Sequence, residues 1–111
     1  MEQLTGYGIV LVTASSEDEA KAIASTLVSS KLAACATLFP IHSIYTWQEE
    51  IHQEPEWQLI IKTDLTHFDR IAAKIQELHS YEIPEIIALP IVAGSQSYIN
   101  WIGANVYKIK L

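Results

Sequence analysis

Residues 33–47 read AACATLFPIHSIYTW, and residues 57–63 read WQLIIKT. Both segments are apolar and lack acidic residues, and Gln48-Glu49-Glu50 turns the chain between them. They predict a β-hairpin whose first strand exceeds the usual length of about 5–6 residues, with a bulge or a bend at Pro40. Such a hairpin is longer than its own core. Its outer half must then lie against something else, and another subunit is the economical candidate.

The segment before the hairpin predicts a strand and a helix. Residues 8–14, GIVLVTA, are rich in β-branched residues and apolar on both faces, as in a central strand. Ser16 and Glu19 have the spacing of a capping box, and apolar residues then recur at the helical period. We expect an amphipathic helix that runs to about Ser30.

The segment after the hairpin predicts a second helix and a fourth strand. Thr66 with Asp69 has the spacing that opens a helix, and residues 80–84 end it, because the residue before a proline avoids the helical conformation. The remaining predictions are a strand over residues 85–92 with Pro90 at an edge or bulge, a short helix over residues 97–106, and a frayed strand over residues 107–111.

The order of these elements is β-α-β-β-α-β, which is typical of an α+β, ferredoxin-like domain with a long central hairpin and a C-terminal helix. The length of 111 residues predicts one domain over residues 1–111. Both helices would cover one face of an antiparallel sheet. The other face is also apolar and therefore requires a partner.

The charge balance narrows the choice of partners. The chain has 7 Lys and Arg against 13 Asp and Glu, a net charge of −6, and no basic cluster. It lacks the positive surface that nucleic-acid binding needs. Charged residues make up 18% of the chain, below the roughly 25% of a typical soluble domain. This shortage again indicates that a second subunit covers some apolar surface.

Neither a membrane span nor export is expected. Residues 86–107 lack Asp, Glu, Lys and Arg, but Pro90 and Gly94 interrupt them, which favours a buried strand followed by a packed helix. The acidic start and the short first apolar run do not resemble a signal peptide. The single Cys35 excludes an intrachain disulfide and fits a reducing compartment.

Candidate metal ligands are scattered along the chain, with no Cys-x-x-Cys or His-Glu-x-x-His motif. The candidates are Cys35, His42, His52, His67 and His79. The hairpin register places His42 opposite Pro55, and His52 near Trp47 or Tyr45, so those two histidines are not a pair. Cys35 is more simply a small core residue. His67 reads as a solvated residue of the first helical turn.

His79, in the last turn of the second helix, has two readings. Either it only interacts with the negative end of the helix dipole, or it is a ligand beside Tyr81, Glu82 and Glu85. Glu82 and Glu85 are close enough to act as acid and base, but no nucleophile or Gly-rich loop accompanies them. The sequence therefore predicts no enzyme.

Aromatic side chains and one lysine are candidates for a ligand cleft. Trp47, Trp57, Trp101, Tyr45 and Tyr81 suit either a cleft or a subunit interface, and interface packing is the simpler interpretation. Lys62, in a hairpin poor in charge, either attracts an anionic ligand or extends outward into water.

Six segments together resemble the CutA family of divalent-cation tolerance proteins. They are residues 31–37, Pro40, residues 43–48, residues 59–63, residues 81–91 and residues 98–102. The resemblance spans nearly the whole chain in order. It implies a ferredoxin-like subunit in a tight homotrimer whose long hairpins pack against neighbours. It also implies a cytoplasmic setting and an association with copper and other divalent cations.

The chain departs from its relatives at several positions. Glu49 stands where several relatives have a glycine, and Ile41 follows Pro40 where they often have Pro-Gly. Val12 replaces a cysteine of some relatives, and Leu78 replaces the first histidine of a His-His-Pro-Tyr run. A soft copper(I) site built from those ligands would lack its thiolate and one imidazole.

Two functional hypotheses follow from the residues and the resemblance. The leading one is a homotrimer with Tyr45 and Trp47 in its interfaces that binds copper or another divalent cation. Its predicted ligands are His79, Cys35, Glu82 and Glu85. The alternative is a trimeric sensor similar to PII-like signalling proteins, which binds a small ligand in clefts between subunits. Its predicted cleft residues are Lys62, Tyr81 and Trp101, together with Glu82 and Glu85.

Overall fold

A computed structural model describes residues 5–108 of the chain. Its elements in order are β1 (Tyr7–Ala14), α1 (Glu17–Ser29), β2 (Cys35–Trp47), β3 (Glu50–Asp64), a 3-10 turn (Leu65–His67), α2 (Phe68–Leu78), β4 (Ile87–Pro90) and α3 (Gln96–Ala104). The predicted β-α-β-β-α-β order and the C-terminal helix are confirmed. Of the predicted frayed strand over residues 107–111, Tyr107 and Lys108 belong to no element, and the rest lies outside the described residues.

The four strands form one antiparallel sheet in the order β2-β3-β1-β4. The β2–β3 register is continuous from the pair Cys35 and Lys62 to the pair Trp47 and Glu50. There is no extra residue at Pro40, so the bulge is excluded and the alternative of a bend stays a prediction. Pro40 is tolerated without a bulge because β2 is an edge strand, where the missing N–H does not interrupt a second ladder.

The hairpin is longer than its own core, as predicted. The last pair of β1 joins Ala14 to Trp57, whereas β2 and β3 continue together to the turn. We call residues 35–39 and 58–64 the inner hairpin, and residues 40–47 and 50–57 the outer hairpin. Gln48 and Glu49 link the strands with φ of 52° and 68°. Positive φ at both central residues is the signature of a type I′ turn.

The main core lies between one face of the sheet and the helices α1 and α2. Alternate residues of β1 and β3 point inward and meet one stripe of each helix. The largest fully buried members are Val10, Val12, Leu59, Ile61, Ile23, Leu27, Ile71 and Ile75. On the opposite face Phe39, Ile87 and Leu89 stay about half exposed, and α3 covers only one end of it. One chain leaves this face partly uncovered, so a partner on it stays a prediction.

The first helix starts as predicted and the second does not. The Ser16 hydroxyl accepts a hydrogen bond from the Glu19 N–H at 3.1 Å, which confirms the capping box. At the second helix, Asp64 takes the capping role predicted for Thr66, because its carboxylate accepts from the Thr66 N–H at 2.9 Å. The α-helix itself begins only at Phe68, after the 3-10 turn.

Two further predictions are corrected. His67 is only 1% exposed rather than solvated, because the segment after α3 passes over it and its Nε2 donates to the Tyr107 carbonyl at 2.6 Å. The fourth strand covers four residues, Ile87–Pro90, instead of residues 85–92. It is an edge strand, and its pairing with β1 ends at Leu11.

Candidate functional site

A cleft of about 730 Å³ opens between the outer hairpin and the loop that follows α2. One wall consists of residues 43–47 of β2 and Glu56 of β3, and the other consists of residues 80–83 and Glu85. The cleft forms where β1 has ended and β3 continues, so the edge of β3 there has no strand beside it. Tyr81 reaches into that place.

A nearly buried carboxylate lies in this cleft. Glu56 is 6% exposed, and its Oε2 accepts a hydrogen bond from the Tyr81 Oη at 2.6 Å. Burial, followed by the hydrogen bond to Glu56, raises the pKa of the Tyr81 phenol. Within residues 5–108, no Lys, Arg or His forms an ion pair with Glu56. Its charge has only a neutral partner.

His79 lies behind Tyr81 with a fully buried side chain. Its Nε2 donates to the Thr13 carbonyl at 2.7 Å, and its Nδ1 accepts from the Tyr81 N–H at 3.0 Å. Both ring nitrogens are used within the chain. A metal ion would have to displace one of these hydrogen bonds to use His79 as a ligand.

Glu19 ties the same loop to the start of α1. Its Oε1 accepts from the Ser15 N–H and hydroxyl, both at 2.9 Å, and its Oε2 accepts from the Ser80 N–H at 2.8 Å. Partial burial acts to raise the pKa of Glu19, but these hydrogen bonds outweigh it and lower the pKa to about 2. The spacing of Ser16 and Glu19 revealed the cap, whereas nothing local indicated a contact with a residue 61 positions away.

Glu82 and Glu85 both line the cleft, as the metal hypothesis requires. The Gln58 amide donates to Glu85 Oε2 at 3.3 Å and to the Val12 carbonyl at 3.0 Å, which holds Glu85 at the end of β1. In the part of the chain that the structure describes, no three His, Cys, Asp or Glu side chains are placed to hold a metal ion. One chain therefore supplies carboxylates but not a complete centre.

Three other predicted site residues, Cys35, Lys62 and Trp101, lie in a second cluster on the open face of the sheet. The Lys62 ammonium is 3.2 Å from Tyr98 Oη, Cys35 Sγ is 4.0 Å from the same oxygen, and Trp101 stacks on Tyr98 at 5.4 Å. The hydrogen bond to Tyr98 raises the pKa of Lys62. The predicted ligand set is thus divided, with Tyr81 in the cleft and Lys62 and Trp101 beside Tyr98.

Cys35 is not the core residue that its alanine neighbours predicted. It is partly exposed, because it shares the open face with Lys62, its partner in the register. The next residue, Ala36, packs against the core instead. A strand pattern of small residues does not tell which face each residue takes.

Tyr45 and Trp47, the predicted interface residues, line the cleft near the tip of the hairpin. Tyr45 is exposed and stacks on His52 with 5.5 Å between ring centroids, whereas Trp47 is partly buried. The register confirms that His52 lies opposite Tyr45 and His42 opposite Pro55. A place for Tyr45 and Trp47 in a subunit interface stays a prediction.

Sequence reasoning missed Glu56 and Tyr98. Glu54-Pro55-Glu56 has the composition of a loop, so β3 was expected to begin at Trp57. The available signal was the length of β2, since an antiparallel partner for Trp47 across a short turn has to come from residues near Glu50.

No helix among residues 5–108 is long and apolar enough to cross a membrane.

Comparisons with known proteins agree with this architecture. The family model described as CutA1 divalent ion tolerance protein matches residues 8–105. The divalent-cation tolerance protein CutA of Thermus thermophilus is 41% identical over 98 residues, which cover 87% of this chain and 95% of that protein. Its counterpart in Escherichia coli O139:H28 is 37% identical over 102 residues, 91% of each chain.

The fold also agrees with that of a solved structure of the same family. A solved structure described as the periplasmic divalent cation tolerance protein CutA of Archaeoglobus fulgidus has a TM-score of 0.89 and 36% identity, covering 91% of this chain and 99% of that one. The antiparallel ferredoxin-like sheet and these matches define a divalent-cation tolerance protein. The chain belongs to the CutA family.

Proposed function

We propose that the protein acts in divalent-cation tolerance as a non-enzymatic, cytoplasmic homotrimer that binds a cation in the cleft. One observation carries the proposal: Glu56 is a nearly buried carboxylate that lines the cleft and has no cationic partner among the described residues. A buried charge without a counter-ion is unfavourable, so binding a cation there stabilises the folded protein.

The chemistry of the cleft selects the kind of metal. Its charged lining residues are Glu56, Glu82 and Glu85, and all three offer hard carboxylate oxygens. These suit copper(II) or another divalent cation better than copper(I), which prefers sulfur. Cys35 lies in the second cluster, and both nitrogens of His79 already form hydrogen bonds. We therefore assign the carboxylates as the first ligands, completed by water or by a neighbouring subunit.

The homotrimer is supported by surfaces that one chain leaves uncovered. The open face presents Phe39, Ile87 and Leu89, and the outer hairpin presents Ile44 and Ile51. Exposed apolar residues on two connected surfaces indicate contacts with further copies, and a closed ring protects the strand edges. Light scattering of the folded protein tests this directly, and a dilute monomer contradicts it.

Calorimetry with copper(II) tests the metal site. Wild type is expected to bind, Glu56→Gln to bind at least about tenfold more weakly, and Cys35→Ser to bind as wild type does, because a charged ligand contributes more than about 1.4 kcal/mol. Equal binding by wild type and Glu56→Gln would remove Glu56 as a ligand. Loss of binding in Cys35→Ser would move the metal to the second cluster.

The size of the cleft favours a second candidate function, a sensor of a small molecule. Ligand sites typically measure about 300–1,000 Å³, and this cleft of about 730 Å³ has aromatic side chains in its walls. A thermal-shift screen of metabolites and metals distinguishes the two functions. Stabilisation by metals alone supports the first, and stabilisation by an organic compound alone supports the second.

A further inference from the structure

The contact between the start of α2 and the segment after α3 centres on a buried histidine. His67 is 1% exposed, and its Nε2 lies 2.6 Å from the Tyr107 carbonyl oxygen. The two rings also pack together, with 4.4 Å between their centroids. Because a carbonyl oxygen only accepts hydrogen bonds, Nε2 carries the proton of the neutral ring and Nδ1 carries its lone pair. The contact with Tyr107 therefore fixes the tautomer of His67.

The second ring nitrogen of His67 has no partner within residues 5–108. Its Nδ1 is buried without a hydrogen bond, and no Asp or Glu in this range forms an ion pair with the ring. Protonation places an N–H and a positive charge at Nδ1. A buried donor without an acceptor and a buried charge without a counter-ion are both unfavourable. This arrangement suits the neutral ring and not the cation.

The positive groups around His67 make a further charge still less favourable. Arg70 follows one turn later on α2, and its guanidinium contacts the Tyr107 hydroxyl and lies over the Tyr107 ring. Lys31 accepts the Tyr107 N–H with its backbone carbonyl, and Lys108 comes directly after Tyr107. Both lysines are exposed. Like charges repel at short range, so none of these groups compensates a cation at His67.

The acidic groups nearby are occupied or exposed. Asp64 precedes the 3-10 turn, and its Oδ1 accepts from the N–H and the hydroxyl of Thr66 at 2.9 and 2.8 Å. Asp69 is exposed in the first turn of α2. The last turn of α1, which packs on the same side of the sheet, has no charged residue. No carboxylate in the described part of the chain is therefore available to the ring of His67.

The segment after α3 depends on this contact. The Tyr107 N–H donates to the Lys31 carbonyl at 3.0 Å, its carbonyl accepts from His67, and the preceding Val106 is 5% exposed. We propose that His67 is an acid-sensitive latch, which holds this segment against α2 while its ring is neutral and releases it when the ring is protonated. Histidine changes charge between about pH 5 and 8, so a moderate fall in pH operates the latch. Acid favours the open form because that form binds a proton which the closed form does not stabilise.

The latch shares no residue with the cleft and goes beyond cation binding. Hydrogen exchange of the Tyr107 amide measures its opening, because opening breaks the hydrogen bond of that N–H to Lys31. The protection factor is measured by NMR on the full-length protein from pH 7.5 to pH 5, with correction for the effect of pH on intrinsic exchange. In wild type it is expected to fall at least about tenfold. Aspartate ordinarily titrates near pH 3.9, below this range.

His67→Gln separates the titration from the contact. The glutamine amide donates to a carbonyl as Nε2–H does but does not titrate, so protection of Tyr107 at pH 7.5 and pH 5 is expected to agree within about twofold. His42→Gln is the matched control, since His42 is exposed on β2 opposite Pro55. It is expected to keep the fall seen in wild type. Melting curves establish that each variant is folded.

A measurement on wild type covers the case in which His67→Gln does not fold. The nitrogen chemical shifts of the His67 ring are expected to place its proton on Nε2 at pH 7.5 and to show a cation only together with loss of Tyr107 protection. Titration of the ring with undiminished protection would overturn the proposal, as would protection in wild type that does not change with pH. An equal fall in His67→Gln, or none in His42→Gln, would assign the pH dependence to another group and contradict it as well.

Discussion

The inner and outer halves of the hairpin have the same strands and the same alternation of side chains, but very different surroundings. In the inner hairpin Leu59 and Ile61 are fully buried between β1 and the helices. In the outer hairpin Ile44 and Ile51 are 71% and 75% exposed. The difference arises because β1 ends at Ala14 and only the β2–β3 pair continues. Burial follows from what covers a strand and not from the strand itself.

The cleft lies where the two halves meet. Glu56 is the first residue of β3 beyond the last pair with β1, and Tyr81 and Glu85 approach it from the loop after α2. The inner hairpin and its helices position this loop through His79 and Glu19. A stable half thus orients the site, while the outer half supplies aromatic and apolar walls.

The largest expected effect comes from removing the aromatic side chain near the tip of the outer hairpin. If a neighbouring subunit covers Trp47, as we propose, Trp47→Ala is expected to cost roughly 3–5 kcal/mol at each site. In a homotrimer the loss repeats at each subunit and appears as dissociation or a large fall in the melting temperature. Size-exclusion chromatography and melting measure it, with Trp47→Phe as the control that keeps a ring. An intact and equally stable Trp47→Ala trimer would mean that Trp47 faces only ligand or solvent.

The second prediction compares one core residue with one residue of the outer hairpin. Leu59→Ala is expected to lower the free energy of unfolding by about 2–5 kcal/mol, because it leaves a cavity beneath α1 and α2. Ile51→Ala removes a residue that the chain leaves exposed, and its cost is expected to be smaller, about 0.5–2 kcal/mol. Denaturant unfolding measures both. Equal costs would mean that the neighbour buries the outer hairpin as fully as the core, and the distinction would fail.

Sequence reasoning succeeded where a local rule decides the outcome. The alternation of β2 and a short turn were enough to place His42 opposite Pro55 and His52 near Tyr45. It failed where distant parts of the chain meet. His67 is buried by Tyr107, which lies 40 positions away. The face that Cys35 takes could not be predicted either, because a run of small residues does not show which of them point to the core.

The candidate site was only partly visible for the same reason. Tyr81, Glu82 and Glu85 were found because they follow one another in a loop after a helix. Glu56 was missed because the neighbouring Pro55 argues against a strand. The contact between β3 and the loop after α2 also leaves no periodic pattern in the sequence. Trp101 lies three residues after Tyr98 on α3, so helix geometry brings the two together, whereas the placement of Lys62 beside Tyr98 depends on the docking of α3, which the sequence does not specify.

The third prediction concerns the contact that joins the loop of the cleft to α1. The pKa of Glu19 in the folded chain is about 2, below its ordinary value of 4.5, so the ionised form favours folding. This contribution is complete above about pH 4.5 and is lost as the pH falls through 2. Glu19→Gln is expected to reduce the free energy of unfolding by about 1–2 kcal/mol at pH 7, because a charged acceptor is lost. The difference should vanish near pH 2.

Chemical denaturation of both proteins from pH 7 to pH 2 measures this effect. Glu17→Gln is the control, since Glu17 also lies in the first turn of α1 but forms only an exposed ion pair with Lys21. Its effect should stay within about 0.5 kcal/mol. A difference between Glu19→Gln and wild type that does not change with pH would show that the role of Glu19 is not electrostatic.

The smallest expected effect lies at the turn, where the two strands of the outer hairpin meet. Glu49 has a φ of 68°, which costs a residue with a side chain about 1 kcal/mol or more and costs glycine nothing. Glycine also gains freedom in the unfolded chain, which offsets part of the relief. Glu49→Gly is therefore expected to stabilise the fold by less than about 1 kcal/mol and to leave assembly unchanged.

Glu50→Gly makes the same chemical change one residue later and is expected to have the opposite sign. Glu50 is the first residue of β3 and does not have a positive φ, so glycine there only adds freedom to the unfolded chain, at a cost of roughly 0.5–1 kcal/mol. Denaturant unfolding of the two variants beside wild type measures the sign of each effect. Opposite signs mean that backbone conformation, and not the loss of an acidic side chain, limits the turn. If both variants were equally stabilised, relief of repulsion among Glu49, Glu50 and their acidic neighbours would explain the result, and backbone strain at Glu49 would not.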